Sequence, residues 1–170
     1  VKYSTIENVL SQNDLDDFVL FAKDWKYRRC PKWLGNFSMI KFDLKQAKKE
    51  NIPPVVLRIA EKVLGVIEIK QNFNTIFIQK YEPGQYVKPH YDPRNNVGHT
   101  VIIPFGEFEG GVSTVNSESF LLKPGNILIQ QCTIGYSIGP RHSISAIESG
   151  TRYALIFNTI LDRSQLLENQ

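Results

Sequence analysis

From Asn72 onward the chain is written in short β-like runs parted by Gly and Pro. Phe73 to Tyr81 (FNTIFIQKY) alternates apolar and polar side chains, the period of a strand with one buried face. Glu82-Pro83-Gly84-Gln85 reads as a turn, Tyr86 to Tyr91 as a second run, and Asp92 to Gly98 as a loop. His99 to Phe105 reads as a buried strand before the tight turn Gly106-Glu107-Phe108-Glu109-Gly110-Gly111. The pattern continues through Val112 to Val115, Ser119 to Leu122, Ile127 to Gln131, Gly139 to Ile147 and Thr151 to Ile160. Short, evenly spaced strands with Gly/Pro turns predict a sandwich or jelly-roll barrel.

The preceding part is different. Residues 3–10 read as a short strand or lead-in. Ser11, Asn13 and Asp14 offer caps ahead of Leu15, Phe18, Val19, Phe21 and Ala22, which predicts a helix from about Gln12 to Asp24. Met39 to Leu44 suits a strand, and Lys45 to Glu50 a polar turn or short helix. Ile52-Pro53-Pro54 opens a second helix whose stripe Val55, Val56, Ile59, Val63 and Leu64 ends near Gly65. The expected fold is therefore mostly β with flanking helices. It is a double-stranded β-helix (jelly-roll, cupin-like) at about 72–160, buttressed on one side by helices within about 1–70. A single domain spans 1–170, since no linker or repeat divides it and this length buries a core without staples.

At 42% hydrophobic the composition is that of an ordinary globular chain, and no apolar run approaches a membrane span. The start, Val1-Lys2-Tyr3-Ser4, is no signal peptide. Cys30 and Cys132 form neither a metal spacing nor a disulfide framework, so free thiols and an intracellular setting are expected, with a monomer favoured.

The chemistry concentrates in Lys88-Pro89-His90-Tyr91-Asp92 with His142 and Arg152. Residues two apart on a strand share a face, so His90 and Asp92 can meet at one spot. His142 lies fifty positions after Asp92 in another β-like run, and Arg152 follows ten later. Singly, each has a bland reading: a polar strand end, a satisfied histidine, a surface ion pair. Jointly, two histidines and a carboxylate holding one face of a metal match the non-haem Fe(II) oxygenase pattern. A planar guanidinium beside it suits a carboxylate. Catalytic zinc also takes such ligands but would leave Arg152 without a role, so iron is favoured.

Residues 21–49 carry nine Lys/Arg against Asp24 and Asp43, a local +7 that leaves −4 for the rest of a chain of net charge +3. Within it, Trp25, Tyr27 and Trp33 interleave with Lys26, Arg28, Arg29 and Lys32. Positive charge between aromatic planes suits a nucleic-acid partner at about 23–33. The plain alternative is a solvated face with both Trp plugging a loop onto the core.

At these residues the chain resembles the 2-oxoglutarate and Fe(II)-dependent dioxygenases over about 72–160. The family's H-x-D…H ligands fall on His90, Asp92 and His142, and its carboxylate-binding basic residue on Arg152. Leu122-Lys123-Pro124-Gly125-Asn126-Ile127 is similar to the family's Pro-Gly-Asp turn, with Asn in place of Asp. The resemblance implies Fe(II), 2-oxoglutarate as co-substrate with Tyr81 beside it, O2, and ascorbate as a reductant. Within the superfamily the chain looks most like the TET/JBP group. The matching stretches are His90-Tyr91-Asp92-Pro93-Arg94-Asn95, Phe105 to Gly111, and Gly150-Thr151-Arg152-Tyr153. That implies oxidation of the methyl group of 5-methylcytosine or thymine in nucleic acid, with Asn95, Arg94 and Tyr91 lining the base pocket. The chain is short for a TET enzyme and has no cysteine-rich segment, which implies a minimal microbial or viral form. AlkB-like N-demethylases share Phe73-Asn74 and Tyr81-Glu82-Pro83-Gly84. Their N-x-Y is Gln79-Lys80-Tyr81 here, and Asn158 and Thr159 stand where they have a second arginine. Prolyl-hydroxylase-like enzymes share the Phe-Glu-Gly-Gly turn but usually have Lys at the place of Arg152.

Overall fold

The computed structural model describes residues 2–44 and 51–162; the turn or short helix expected at 45–50 lies outside the described residues. In chain order the elements are β1 (Tyr3–Ile6), α1 (Gln12–Ala22), β2 (Arg28–Arg29), β3 (Gly35–Asn36), β4 (Ser38–Asp43), α2 (Pro54–Leu64), β5 (Thr75–Tyr81) and β6 (Tyr86–His90). They continue with β7 (Asn96–Phe105), β8 (Phe108–Gly110), β9 (Ser113–Val115), β10 (Glu118–Phe120), β11 (Ile127–Gln131), β12 (His142–Ile144), β13 (Ile147–Gly150) and β14 (Arg152–Ile160). One antiparallel sheet runs β1-β11-β7-β14-β5-β4-β2. A second runs β10-β9-β12-β6-β3, and β13 pairs with β8 alone. This is the expected jelly-roll, mostly β, with the helices on one side.

The alternation of β14 sorts the molecule into two layers. Tyr153, Leu155 and Phe157 join the cluster that holds Phe18 and Ala22 of α1 and Val56, Ile59, Ala60 and Val63 of α2. Arg152, Ile156 and Asn158 point the other way, into a cavity between the sheets, and Ala154 packs in the apolar cluster with Ile156. β7 divides likewise, with Val101, Ile103 and Phe105 toward the helices and Thr100 and Ile102 toward the cavity. The helix layer is locked by Phe18 stacked on Phe105 at 4.0 Å between ring centroids. Burying one such side chain contributes on the order of 2 kcal/mol.

Helix α1 starts in a reciprocal capping box: Asp14 N donates to Ser11 Oγ (3.2 Å), and Ser11 N donates to Asp14 Oδ2 (3.1 Å). It ends at Ala22, two residues short of the expected Asp24. Asp14 is only 3% exposed and ties the helices together, with Lys62 Nζ at 2.6 Å and Arg58 Nε at 3.4 Å. In α2, Pro54 fills the first turn, where a missing N–H costs nothing.

Three local expectations change. The supposed loop at 25–35 contributes β2 to the large sheet through Arg28↔Met39 and β3 to the small one through Gly35↔Val87. The segment thus bridges both sheets along one edge of the cavity. The loop after Asp92 ends sooner than expected, because Asn96 already pairs with Ile160. The run from Gly139 to Ile147 breaks into β12, beside β6 and β9, and β13, beside β8. No helix among the described residues is long and apolar enough to cross a membrane.

Candidate metal centre

β6 and β12 pair with His90 directly opposite His142, so a strand register sets two imidazoles side by side, 4.2 Å between ring centroids. Asp92, two residues past His90, turns its Oδ1 to 3.4 Å from His90 Nε2 and 3.3 Å from His142 Nε2. The three ligand atoms lie within 4.8 Å of one another.

Each ring is oriented by its other nitrogen. His90 Nδ1 lies 2.8 Å from the carbonyl of Lys88, and His142 Nδ1 lies 2.9 Å from that of Pro140. A carbonyl only accepts, so both Nδ1 atoms carry a proton, and both Nε2 atoms face Asp92 Oδ1. Buried Gln130 stands 3.1 Å from the same His142 Nδ1.

The second oxygen of Asp92 is held from behind. Cys132 Sγ lies 3.4 Å and Asn96 Nδ2 3.5 Å from Oδ2, and Thr100 Oγ1 is 2.8 Å from the thiol. Burial first, and then the Asp92 charge, push the Cys132 thiol up to about 12, so it stays protonated and can donate. Burial opposes ionisation of Asp92, but hydrogen bonds and charge from His142 and His90 outweigh it and hold the carboxyl below its usual range. Burial likewise opposes charge on His142, yet Asp92 raises its pKa overall. The histidine ring and the carboxylate thus satisfy each other. Two Nε2 atoms and one carboxylate oxygen, each oriented by further hydrogen bonds, fit a divalent metal held on one face.

These ligands open on a cavity of about 420 Å³ whose wall also includes Arg152, Tyr81, Ile102, Ile156 and Phe77. Arg152 is 1% exposed, and its Nη1 has no hydrogen-bond partner. Its guanidinium lies 5.0 Å from the Tyr81 ring centroid and 5.9 Å from that of Phe108, and no ion pair to it occurs among the described residues. Burial lowers its pKa, and the Tyr81 hydroxyl works in the opposite direction. Burial also raises the Tyr81 phenol, which donates to Gln79 Oε1.

The glycine turn makes room for this arginine. Gly111 has φ 65°, and a Cβ there would meet Ile147 Cδ1 at 2.8 Å, Phe108 Cε2 at 3.4 Å and Arg152 Cδ at 3.5 Å. Gly150 has φ 76°, and a Cβ would sit 2.1 Å from the Glu107 carbonyl, so β13 can close on β8 only without a side chain there.

His90, Asp92, His142, Arg152 and Tyr81 therefore converge as the sequence led one to expect. Of the residues assigned to a base pocket, Asn95 lines the cavity and its Nδ2 donates to the Leu161 carbonyl, 3.3 Å. Tyr91 is 53% exposed, and neither it nor Arg94 lines the cavity. Trp25 packs on Phe21 and Phe42, at 4.9 and 5.9 Å, as a plug on the core. Trp33 is 56% exposed at the cavity wall, edge-on to His90 at 6.0 Å. Sequence reasoning missed Asn96, Thr100, Gln130 and Cys132; Thr100 and Gln130 are polar residues within the largely apolar runs of β7 and β11, a signal available in the pattern.

No family model and no curated protein matches the sequence. Solved structures do match it in fold. A viral collagen prolyl hydroxylase from Paramecium Bursaria Chlorella virus-1, in complex with 2-oxoglutarate, superposes with a TM-score of 0.70 at 18% identity, over 93% of this chain and 95% of that one. A Pseudomonas putida prolyl-4-hydroxylase gives 0.68 at 11% identity, over 94% and 93%. A 2OG-Fe(II) oxygenase family oxidoreductase from Burkholderia pseudomallei gives 0.68 at 12%, over 92% and 84%. This chain has the jelly-roll fold of the 2OG-Fe(II) oxygenases, along nearly its whole length.

Proposed function

We propose that the protein is an Fe(II)- and 2-oxoglutarate-dependent dioxygenase that hydroxylates an aliphatic C–H bond in a polypeptide, in the manner of a prolyl hydroxylase. The observation that carries the cofactor pair is the buried Arg152, without a carboxylate partner, on the same cavity as the His90, Asp92 and His142 cluster. An unpaired buried cation costs several kcal/mol unless a ligand supplies the anion, and a dicarboxylate would do so.

His90 Nε2, His142 Nε2 and Asp92 Oδ1 would hold the metal, and Arg152 the far carboxylate of 2-oxoglutarate beside Tyr81. When bound, the pair supplies oxidising power: O2 is consumed, 2-oxoglutarate leaves as succinate and carbon dioxide, and substrate C–H becomes C–OH. Ile102, Ile156 and Phe77 line the cavity with apolar surface that excludes water. Trp33 stands at its exposed side, where a substrate would cross.

The polypeptide reading draws on the prolyl hydroxylases among the fold relatives. Oxidation of a pyrimidine methyl group is the second reading. It draws on exposed Arg28 and Arg29 and on Trp33 at the cavity. The test supplies Fe(II), 2-oxoglutarate, ascorbate and O2 with proline-containing peptides, and separately with DNA carrying 5-methylcytosine and thymine. Mass spectrometry of peptides and nucleosides, with succinate monitored, decides. One added oxygen on a peptide is expected; a hydroxymethylated base with unchanged peptides would overturn the polypeptide reading.

A further inference from the structure

The cavity has a second polar corner that neither the metal nor a diacid accounts for. The inward row of β14 runs Arg152, Ala154, Ile156, Asn158. Arg152 pairs in register with Tyr81 and keeps its guanidinium over that ring, so its charge stays at its own end of the strand. Asn158 is six residues away, roughly 20 Å along an extended strand.

Across from it, Ile160 pairs with Asn96, so the two asparagines are diagonal neighbours on adjoining strands. Both are more than nine-tenths buried, at 7% and 6% exposure. Both Oδ1 atoms lack any hydrogen-bond partner. The Asn96 amide cannot turn over: its Nδ2 faces Asp92 Oδ2 at 3.5 Å and Thr100 Oγ1 at 3.4 Å, and a flip would set oxygen against the carboxylate. Its Oδ1 is thus a fixed acceptor with no donor. Buried polar groups are nearly always satisfied, so two orphan acceptors in one cavity wall mark where a ligand brings N–H or O–H. A carboxylate or phosphate brings neither, and the carbonyl oxygens repel it.

We propose that Asn96 and Asn158 form a subsite that accepts a backbone amide N–H of a polypeptide substrate, setting the neighbouring carbon before the metal. This rests on the dioxygenase reading above. An exocyclic base amine would also donate, but base recognition leans on stacking. Phe37 and Tyr81 are fully buried and already stacked on each other at 4.8 Å, which leaves exposed Trp33, beside His90, as the aromatic face at the cavity wall.

The test uses the full chain loaded with Co(II) and 2-oxoglutarate under nitrogen, against an array of acetylated, amidated pentapeptides scanned at the central residue. The best binder is then remade with one backbone amide at a time N-methylated. One N-methylation is expected to weaken binding to the native chain at least tenfold and to change nothing further in Asn158→Leu. In that variant, Co(II) and 2-oxoglutarate affinities should stay within twofold, and the melting temperature should not fall, because leucine removes an unsatisfied acceptor; a purely structural asparagine would lower it. Asn158→Thr serves if the leucine variant misfolds. Equal sensitivity of both proteins to N-methylation overturns the subsite. So does a tenfold loss of 2-oxoglutarate affinity in Asn158→Leu, which would give the residue to the diacid. A native chain that binds Co(II) and 2-oxoglutarate but no peptide, or that binds methylated oligonucleotides through Asn158, overturns the polypeptide class. A native chain that binds no Co(II) overturns the metal reading, and the subsite falls with it.

Discussion

The thiol of Cys132 lies 3.4 Å from Asp92 Oδ2, on the far side of the carboxylate from the two histidines. Together with Asn96 Nδ2 it occupies that oxygen, which leaves Oδ1 alone to face the metal position. Cys132→Ala should therefore weaken Co(II) binding about 10- to 100-fold, the usual effect of losing a partner of a metal ligand. Calorimetric titration reads the affinity, and the visible Co(II) spectrum reads the changed geometry. Unchanged values would show that the thiol does not hold the carboxylate.

Arg152 should trade stability for binding. Replacing a buried cation that has no anion by an apolar chain of similar length removes a desolvation penalty. Arg152→Met is expected to raise the stability of the ligand-free protein by on the order of 1 kcal/mol. It should also lose 2-oxoglutarate affinity by at least a hundredfold, with Co(II) affinity unchanged. A lowered melting temperature with intact 2-oxoglutarate binding would remove the arginine from the site.

Asp14 makes stability depend on pH in the acid range. Burial works against its charge, but Lys62 and the Ser11 bonds outweigh it, and the folded-state pKa is lowered below the ordinary 3.8. The contribution of Asp14 is thus fully present above about pH 4 and is lost as pH falls through the lower folded value. Asp14→Asn should cost about 1–3 kcal/mol at pH 6, because the Lys62 and Arg58 contacts lose their charge partner and the α1 cap weakens. Thermal melts of both proteins should draw together as pH falls below about 4 through the lowered folded value. A constant gap at all pH values would mean the charge is irrelevant.

Gly111→Ala tests the room left for Arg152. The φ of 65° and the 2.8 Å approach to Ile147 make alanine strained. A loss of about 1 kcal/mol or more is expected, with weakened 2-oxoglutarate binding, read by melting and titration. A neutral substitution would show that the turn is not shaped for the arginine.

The helices and the pairing of His90 with Asp92 were legible because their signals are local. Phe18 and Ala22 keep helical spacing, and His90-x-Asp92 is a strand-face pair. His142 and Arg152 became legible through order and spacing, which strand register then turned into contact. Other features depend on partners distant in sequence. Pro93-Arg94-Asn95-Asn96 has turn composition, yet Asn96 is drawn into β7 by the end of β14. Arg28-Arg29 has no strand signature and becomes a strand by pairing with Met39 and Ser38. Cys132 had no spacing to read, since its role comes from standing behind Asp92 across two sheets. Asn158 was visible as a departure from the AlkB-like pattern, but its unpaired oxygen appears only when the cavity is closed around it.

The most direct test of the Fe(II) and 2-oxoglutarate site is an anaerobic titration of the purified chain with Fe(II), then with 2-oxoglutarate, followed by visible absorption. The account requires one Fe(II) per chain and a charge-transfer band that appears only when both are present. The band should vanish in His90→Ala and should need far more 2-oxoglutarate in Arg152→Met. Absence of saturable Fe(II) binding, or 2-oxoglutarate binding indifferent to both the metal and Arg152, would contradict it.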